Sequence, residues 1–254
     1  MLLRKFVETN HKIYNIMATT VLHTADTRGN ANHGWLNAYH SFSFGNYYNA
    51  DRNQFGVLRV LNDDTIAAGM GFGTHPHNNM EIITIPFEGD LAHKDSMGNE
   101  ATIKTGDVQV MSAGAGIQHS EFNPNADQQT KLFQIWLFPN KQNVTARYQQ
   151  ITLDKTAQKN NFAQILSPNQ EDEGVWIHQN AWFFMADFDA DFTKNYTISS
   201  ASNGVYLIVI SGSITVGDQN LNEKDAIGIS DFTTVAIKAN TDAKFLIMDI
   251  PMKL

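Results

Sequence analysis

His75 and His77 form an H-x-H pair inside Gly69-Met-Gly-Phe-Gly-Thr-His75-Pro-His77-Asn-Asn-Met-Glu81. His119 and Glu121 form an H-x-E pair inside Gly114-Ala-Gly-Ile-Gln-His119-Ser-Glu121-Phe-Asn123. Residues two apart on a β-strand point to the same face. Each pair can therefore aim two ligand atoms at one point, and two facing strands supply four. Three imidazoles and one carboxylate suit Fe, Ni, Co, Mn, Cu or Zn in a site that leaves coordination positions open. The carboxylate is ambiguous on parity alone. Glu81 shares the face of His75 and His77 if their strand stays regular, while Glu121 shares that of His119.

The elements that must position these groups read as strands. Thr19–His23 is an opening strand, followed by a Gly/Asn-rich loop at 26–32 and an aromatic segment from Trp35 to Tyr48. Phe55–Asn62 reads as a strand that ends in a turn at Asp63-Asp64. Glu81–Phe87, Asp90–His93, Ala101–Ile103, Val108–Ser112 and Leu132–Leu137 follow, with Gly89-Asp90, Gly98-Asn99 and Gly106-Asp107 between them. Many short strands with glycine-rich turns predict an all-β sandwich or barrel. A helix is expected only near Ala157–Gln164. The second half echoes the first: Gly89-Asp90 returns as Gly212-Ser213, and Asp107 as Asp225, at offsets of roughly 120 residues. The positions that would match the four ligands fall at Ile198, Ser200, Ile237 and Ala239, so the second unit reads as metal-free.

The totals narrow the function classes. The 254 residues suffice for two domains with adequate cores, and 42% hydrophobic content is that of a globular chain. No run approaches the roughly 18 apolar residues of a membrane span. A formal charge of −8 argues against nucleic acid as a partner. The absence of cysteine excludes disulfides, thiolate metal sites and cysteine nucleophiles, and is compatible with the cytoplasm. Residues 1–17 lack the apolar core of a secretory signal, and Met17 reads as the natural start, which predicts that removing residues 1–16 leaves folding and metal content unchanged.

The flanks of both pairs resemble the two cupin motifs: G-x5-H-x-H-x3-E-x7-G from Gly69 to Gly89, then a second from Gly106 through Gly116, His119 and Asn123. The chain resembles the pirin family more closely. The similarity rests on Arg28–Trp35, His40–Phe44, Leu61–Asp64, Gly73–His77, His93–Gly98 and Met111–Glu121, extends into Phe133–Trp136, and fades after about Tyr148. It implies a bicupin, two antiparallel jelly-roll barrels in tandem. Residues 18–140 would form a metal-binding cupin domain, 141–254 a metal-free one joined near Pro139–Thr145, and 1–17 an N-terminal extension. It also implies His75, His77, His119 and Glu121 as ligands of one divalent metal, iron first. Glu81 then becomes a pocket carboxylate.

The activity implied is that of a quercetin dioxygenase: a flavonol chelates the metal through adjacent oxygens and is opened by dioxygen to a depside and carbon monoxide. Glu121 is the expected base, with Phe42, Phe44 and Met111 as apolar walls. The alternative is a non-catalytic metal- or redox-sensing bicupin that acts on a protein partner, as animal pirin does in transcription. A zinc-dependent sugar-phosphate isomerase would need cations beside the ligands, for which Lys94 and Lys104 are thin candidates. Asn123 is expected to orient a ligand from behind. Gln109, Gln134 and Trp136 read as core packing. His40 and His93 read as structural, and so do His11, His23, His33 and His178, which lack a partner at ligand spacing.

Overall fold

The computed structural model describes residues 18–254; the expected extension and start at Met17 lie outside them. In the first half the strands are β1 (Thr19–His23), β2 (Gly29–Asn32), β3 (Leu36–His40), β4 (Leu58–Ile66), β5 (Gly71–His77) and β6 (Glu81–Glu88). They continue with β7 (Leu91–Asp95), β8 (Glu100–Ile103), β9 (Asp107–Ser112), β10 (Ile117–Phe122), β11 (Thr130–Leu137) and β12 (Arg147–Thr152). The second half holds β13 (Ala163–Ser167), β14 (Val175–Trp176), β15 (Trp182–Phe188), β16 (Thr193–Thr197) and β17 (Asn203–Ser211). It ends with β18 (Ile214–Val216), β19 (Gln219–Leu221), β20 (Ala226–Ser230), β21 (Thr234–Ala239) and β22 (Ala243–Pro251). Among the described residues the only helical segment is a 3-10 turn at Ala25–Thr27.

The strands build two jelly-roll sandwiches. In the first, a sheet ordered β12-β9-β6-β11-β4-β3-β2 faces a smaller sheet, β5-β10-β7-β8. In the second, β1-β20-β17-β22-β15-β13-β14 faces β16-β21-β18-β19. Each sandwich takes one edge strand from beyond the linker: β1 pairs with β20, and β12 with β9. The largest core mixes both halves, with Phe42, Leu58 and Ile135 packed among Phe183, Tyr206 and Leu246. Each such side chain stabilises by about 1.5–3 kcal/mol when buried, so the two units share one interior. The second sandwich is filled by its own aromatic core, including Phe188, Tyr196 and Phe245.

Three expectations from sequence are corrected. No helix forms at Ala157–Gln164: turns lead to a bridge at Lys159, and Ala163 already begins β13. The asparagines decide this, because Asn160 adopts φ +49 and its side chain bonds Asp189, while that of Asn161 bonds the Ala157 carbonyl. Nor do Asp63 and Asp64 make a turn. They lie inside β4, where alternation sends them to opposite faces. Asp63 meets Arg28 at 3.1 Å and Lys224 of the second half at 3.3 Å, partners that accommodate an acid inside a strand. The expected strand at Phe55 starts only at Leu58, after a tight turn in which Gly56 adopts φ +52.

β5 and β10 carry the chemistry, and their local sequence fits their places. β10 alternates strictly, with Ile117, His119 and Glu121 buried. β5 is an edge strand, which is where Pro76, lacking an N–H, is tolerated. Gly71 permits the close approach of the pair: a Cβ there would lie 2.1 Å from the Glu121 carbonyl and 2.5 Å from Phe122 Cα. Gly71→Ala must push these strands apart. It is expected to lower stability by at least about 2 kcal/mol, read as a fall in denaturant midpoint, and to weaken metal binding with it.

Candidate metal centre

β5 and β10 run antiparallel with His75 directly opposite His119. The ring centroids of His75 and His119 are 4.4 Å apart, and His77 lies 4.9 Å from each. One ligand nitrogen from each of the three falls within 4.8 Å of the others. The Gly73 carbonyl lies 2.8 Å from His75 Nδ1. A carbonyl only accepts, so Nδ1 carries the proton and Nε2 keeps its lone pair. His77 Nε2 and both ring nitrogens of His119 are buried without a protein hydrogen-bond partner.

Burial and neighbouring charge keep His77 and His119 neutral. Burial first, then the neighbouring imidazoles, push His119 down to about 2. Burial and His75 bring His77 down to about 4. Three imidazoles with a ligand nitrogen from each facing one point are a donor set for a divalent transition metal. The orphaned nitrogens fit such an ion.

Glu121 sits on the same face of β10 as His119, after a register shift in which it opposes Phe72 of β5. On its other side it opposes His93 of β7. His93, His119 and Glu121 form a second group with ligand atoms within 4.8 Å of one another, so His119 belongs to both groups. From the facing sheet, Gln134 Nε2 donates to both carboxylate oxygens of Glu121, at 3.2 and 3.1 Å. Thr84 Oγ1 in turn donates to Gln134 Oε1 at 3.3 Å. Burial lifts the Glu121 carboxyl to about 7, against the pull of the Gln134 bond. That places it in the range useful for proton transfer at neutral pH.

Glu81 is on a different sheet. The chain leaves β5 through Asn79, at φ +44, and starts β6 at Glu81, so the parity with His75 and His77 is broken. Glu81 instead accepts a hydrogen bond of 2.6 Å from Ser112 Oγ, and burial raises its carboxyl to about 7. It belongs to neither ligand group.

A cavity of about 200 Å³ opens beside the histidines, walled by Phe44, Phe72 and Trp136. Phe44 meets Trp136 edge-on at 5.4 Å, and Trp136 meets His77 at 4.9 Å. Of the expected walls, Phe44 is present, but Phe42 packs into the shared core and Met111 into a cluster with Ile82 and Ile117. Gln134 and Trp136, read from sequence as packing, line the cavity. Asn123 does not reach the ligands: its amide donates to the Ile66 and Gln128 carbonyls and holds a loop. His93 does more than pack, since its Nε2 lies 3.3 Å from Asp95 while Nδ1 has no protein partner. Its one legible signal was the alternation His93-Lys94-Asp95. His40 bonds Asn62 at 2.8 Å on the cavity wall. Lys94 pairs with Glu100 at the surface, and among the described residues no lysine or arginine lines the cavity.

The folded strands hold the donor atoms together and the unfolded chain does not, so a bound metal stabilises the fold. At a free metal concentration of one hundred times Kd the gain is about 2.7 kcal/mol, read as a rise in unfolding temperature. His119→Ala is expected to abolish the rise, because both groups share that residue.

Two family models match the chain: Pirin over residues 21–137 and the quercetinase C-terminal cupin domain over 164–250. The chain is 40% identical over 230 residues to a quercetin 2,3-dioxygenase of Escherichia coli, covering 91% of this chain and 98% of that one. It is 37% identical over 225 residues to a pirin-like protein of Caulobacter vibrioides, covering 88% and 96%. Among solved structures, the bacterial pirin YhhW from Escherichia coli in complex with nickel(II) superposes with a TM-score of 0.87 at 38% identity, covering 92% of this chain and 99% of that one. With matching models in both halves and near-full-length relatives at this identity, the chain belongs to the pirin family of bicupins.

Proposed function

We propose that this protein is a metal-dependent dioxygenase that opens flavonols such as quercetin, giving a depside and carbon monoxide. The observation that carries the reading is the trio of converging imidazoles set beside a buried, amide-held carboxylate at the edge of an apolar cavity. The E. coli relative named quercetin 2,3-dioxygenase supports it. His75, His77 and His119 would hold the metal, with Glu121 as the carboxylate. The nickel complex of the related pirin supports nickel(II), and the donor set suits iron(II) equally. When bound, the metal supplies Lewis acidity to a chelated pair of hydroxyl and carbonyl oxygens.

The chain's own residues do the rest. Glu121 takes the proton that the flavonol hydroxyl loses, and its raised affinity for protons suits it to that step. Gln134 holds both Glu121 oxygens and thereby fixes their direction. Phe44, Phe72 and Trp136 exclude water and lie against the ring that carries the chelating oxygens. Both atoms of dioxygen enter the depside, and one ring carbon leaves as carbon monoxide.

Glu121→Gln nearly conserves volume and removes the base. Metal content is expected to fall in part, while activity per bound metal drops by about a hundredfold or more. The check is steady-state oxygen uptake normalised to metal content. Full activity per metal atom in this variant would remove Glu121 from proton transfer. No oxygen uptake by the loaded wild type with any flavonol would favour the partner-binding, metal-sensing role instead.

A further inference from the structure

The cavity volume and one unpartnered carboxylate bear on what this site takes. A cavity of about 150 Å³ holds one benzene, and pockets for drug-sized ligands run from about 300 Å³ upward. At about 200 Å³ the present cavity lies between them, close to the space of one substituted ring. Its walls are packed against their neighbours: Trp136 is fixed by Phe44 and His77, and Phe72 meets Trp35 edge-on at 5.2 Å. Enlarging it would break those contacts.

Asp64 lines the same cavity from β4. It is only 4% exposed, and its Oδ1 has no hydrogen-bond partner among the described residues. The neighbouring polar pair on that wall, His40 and Asn62, satisfy each other. Asp63, on the opposite face of the strand, is anchored by Arg28 and Lys224, which fixes where Asp64 points. A buried carboxyl without a partner is costly to the fold and is relieved by a ligand group that bonds it. A hydroxyl both donates and accepts, and so satisfies Asp64 whether or not it is protonated.

We propose that the cavity encloses a single ring bearing adjacent hydroxyl and carbonyl oxygens, and that Asp64 reads one further hydroxyl on that ring. The outer rings of a flavonol then stay outside, and the site's own substrate class is the monocyclic, polyhydroxylated hydroxy-enone. The proposal rests on the metal-centred reading above and adds substrate size and a specificity residue to it.

The test is anaerobic titration of the nickel(II)-loaded full-length protein, followed by ligand absorbance and tryptophan fluorescence. The probes are a plain hydroxypyranone, which keeps a flavonol's chelating oxygens on one ring, its hydroxyl- and hydroxymethyl-substituted counterparts, and quercetin. The plain ring is expected to bind at least as tightly as quercetin, and the best hydroxylated ring about tenfold more tightly than the plain one. Asp64→Ala and Asp64→Leu break no protein hydrogen bond at Oδ1 and are expected to erase that tenfold difference. Quercetin binding more than tenfold tighter than every single ring would overturn the size claim, in the wild type alone. Persistence of the hydroxyl preference in both variants would overturn the role of Asp64. Because binding is measured without oxygen, failure of the dioxygenase reading shows separately, as tight single-ring binding with no oxygen uptake once air is admitted.

Discussion

His75, His77 and His119 face one another across the β5–β10 pair, and among the described residues no hydrogen-bond partner reaches His77 Nε2 or either ring nitrogen of His119. This constraint organises the first sandwich. Each buried nitrogen without a partner costs about 1–3 kcal/mol, and burial, reinforced by the neighbouring imidazoles, opposes relief of His77 and His119 by protonation. The arrangement is sustained by strands that leave it no alternative: Gly71 lets the two backbones close up, and alternation along β10 turns His119 and Glu121 inward. A cation is the one partner that resolves all three lone pairs together. The scaffold is strained without it in the way that functional sites commonly are.

The facing sheet contributes the second half of the chemistry. Thr84 and Gln134 reach across the sandwich to hold Glu121, so the carboxylate is oriented by residues from β6 and β11 as well as by its own strand. The large sheet of the first sandwich is backed by the shared core and bound to the second half through Asp63, Arg28 and Lys224. The second unit therefore serves the site mechanically. It buttresses the sheet from which Gln134, Trp136 and Asp64 project.

What could be read from sequence followed from period-two alternation and turn punctuation, which are local. The histidine pairs and the all-β architecture were legible for that reason. Glu81 was ambiguous because parity holds only while a strand stays regular, and Asn79 ends β5 before it. Gln134 and His93 read as structural because Gln134 meets Glu121 only across the facing sheets and His93 meets it only through strand pairing, contacts that local spacing does not show. Asp63-Asp64 looked like a turn because paired acids favour turns, and the cations that keep Asp63 in a strand come from distant positions. The exchange of β1 and β12 between sandwiches was equally invisible, since periodicity specifies a strand but not its neighbour.

The central claim is that this histidine cluster and Glu121 serve dioxygenation of a chelating substrate. The most direct measurement is a single turnover of anaerobically reconstituted protein with quercetin and isotopically labelled dioxygen, with mass analysis of the products. The account predicts that both labelled atoms appear in the depside and that carbon monoxide forms in equal amount without label. A product carrying one labelled atom, or label in the released carbon monoxide, would contradict it.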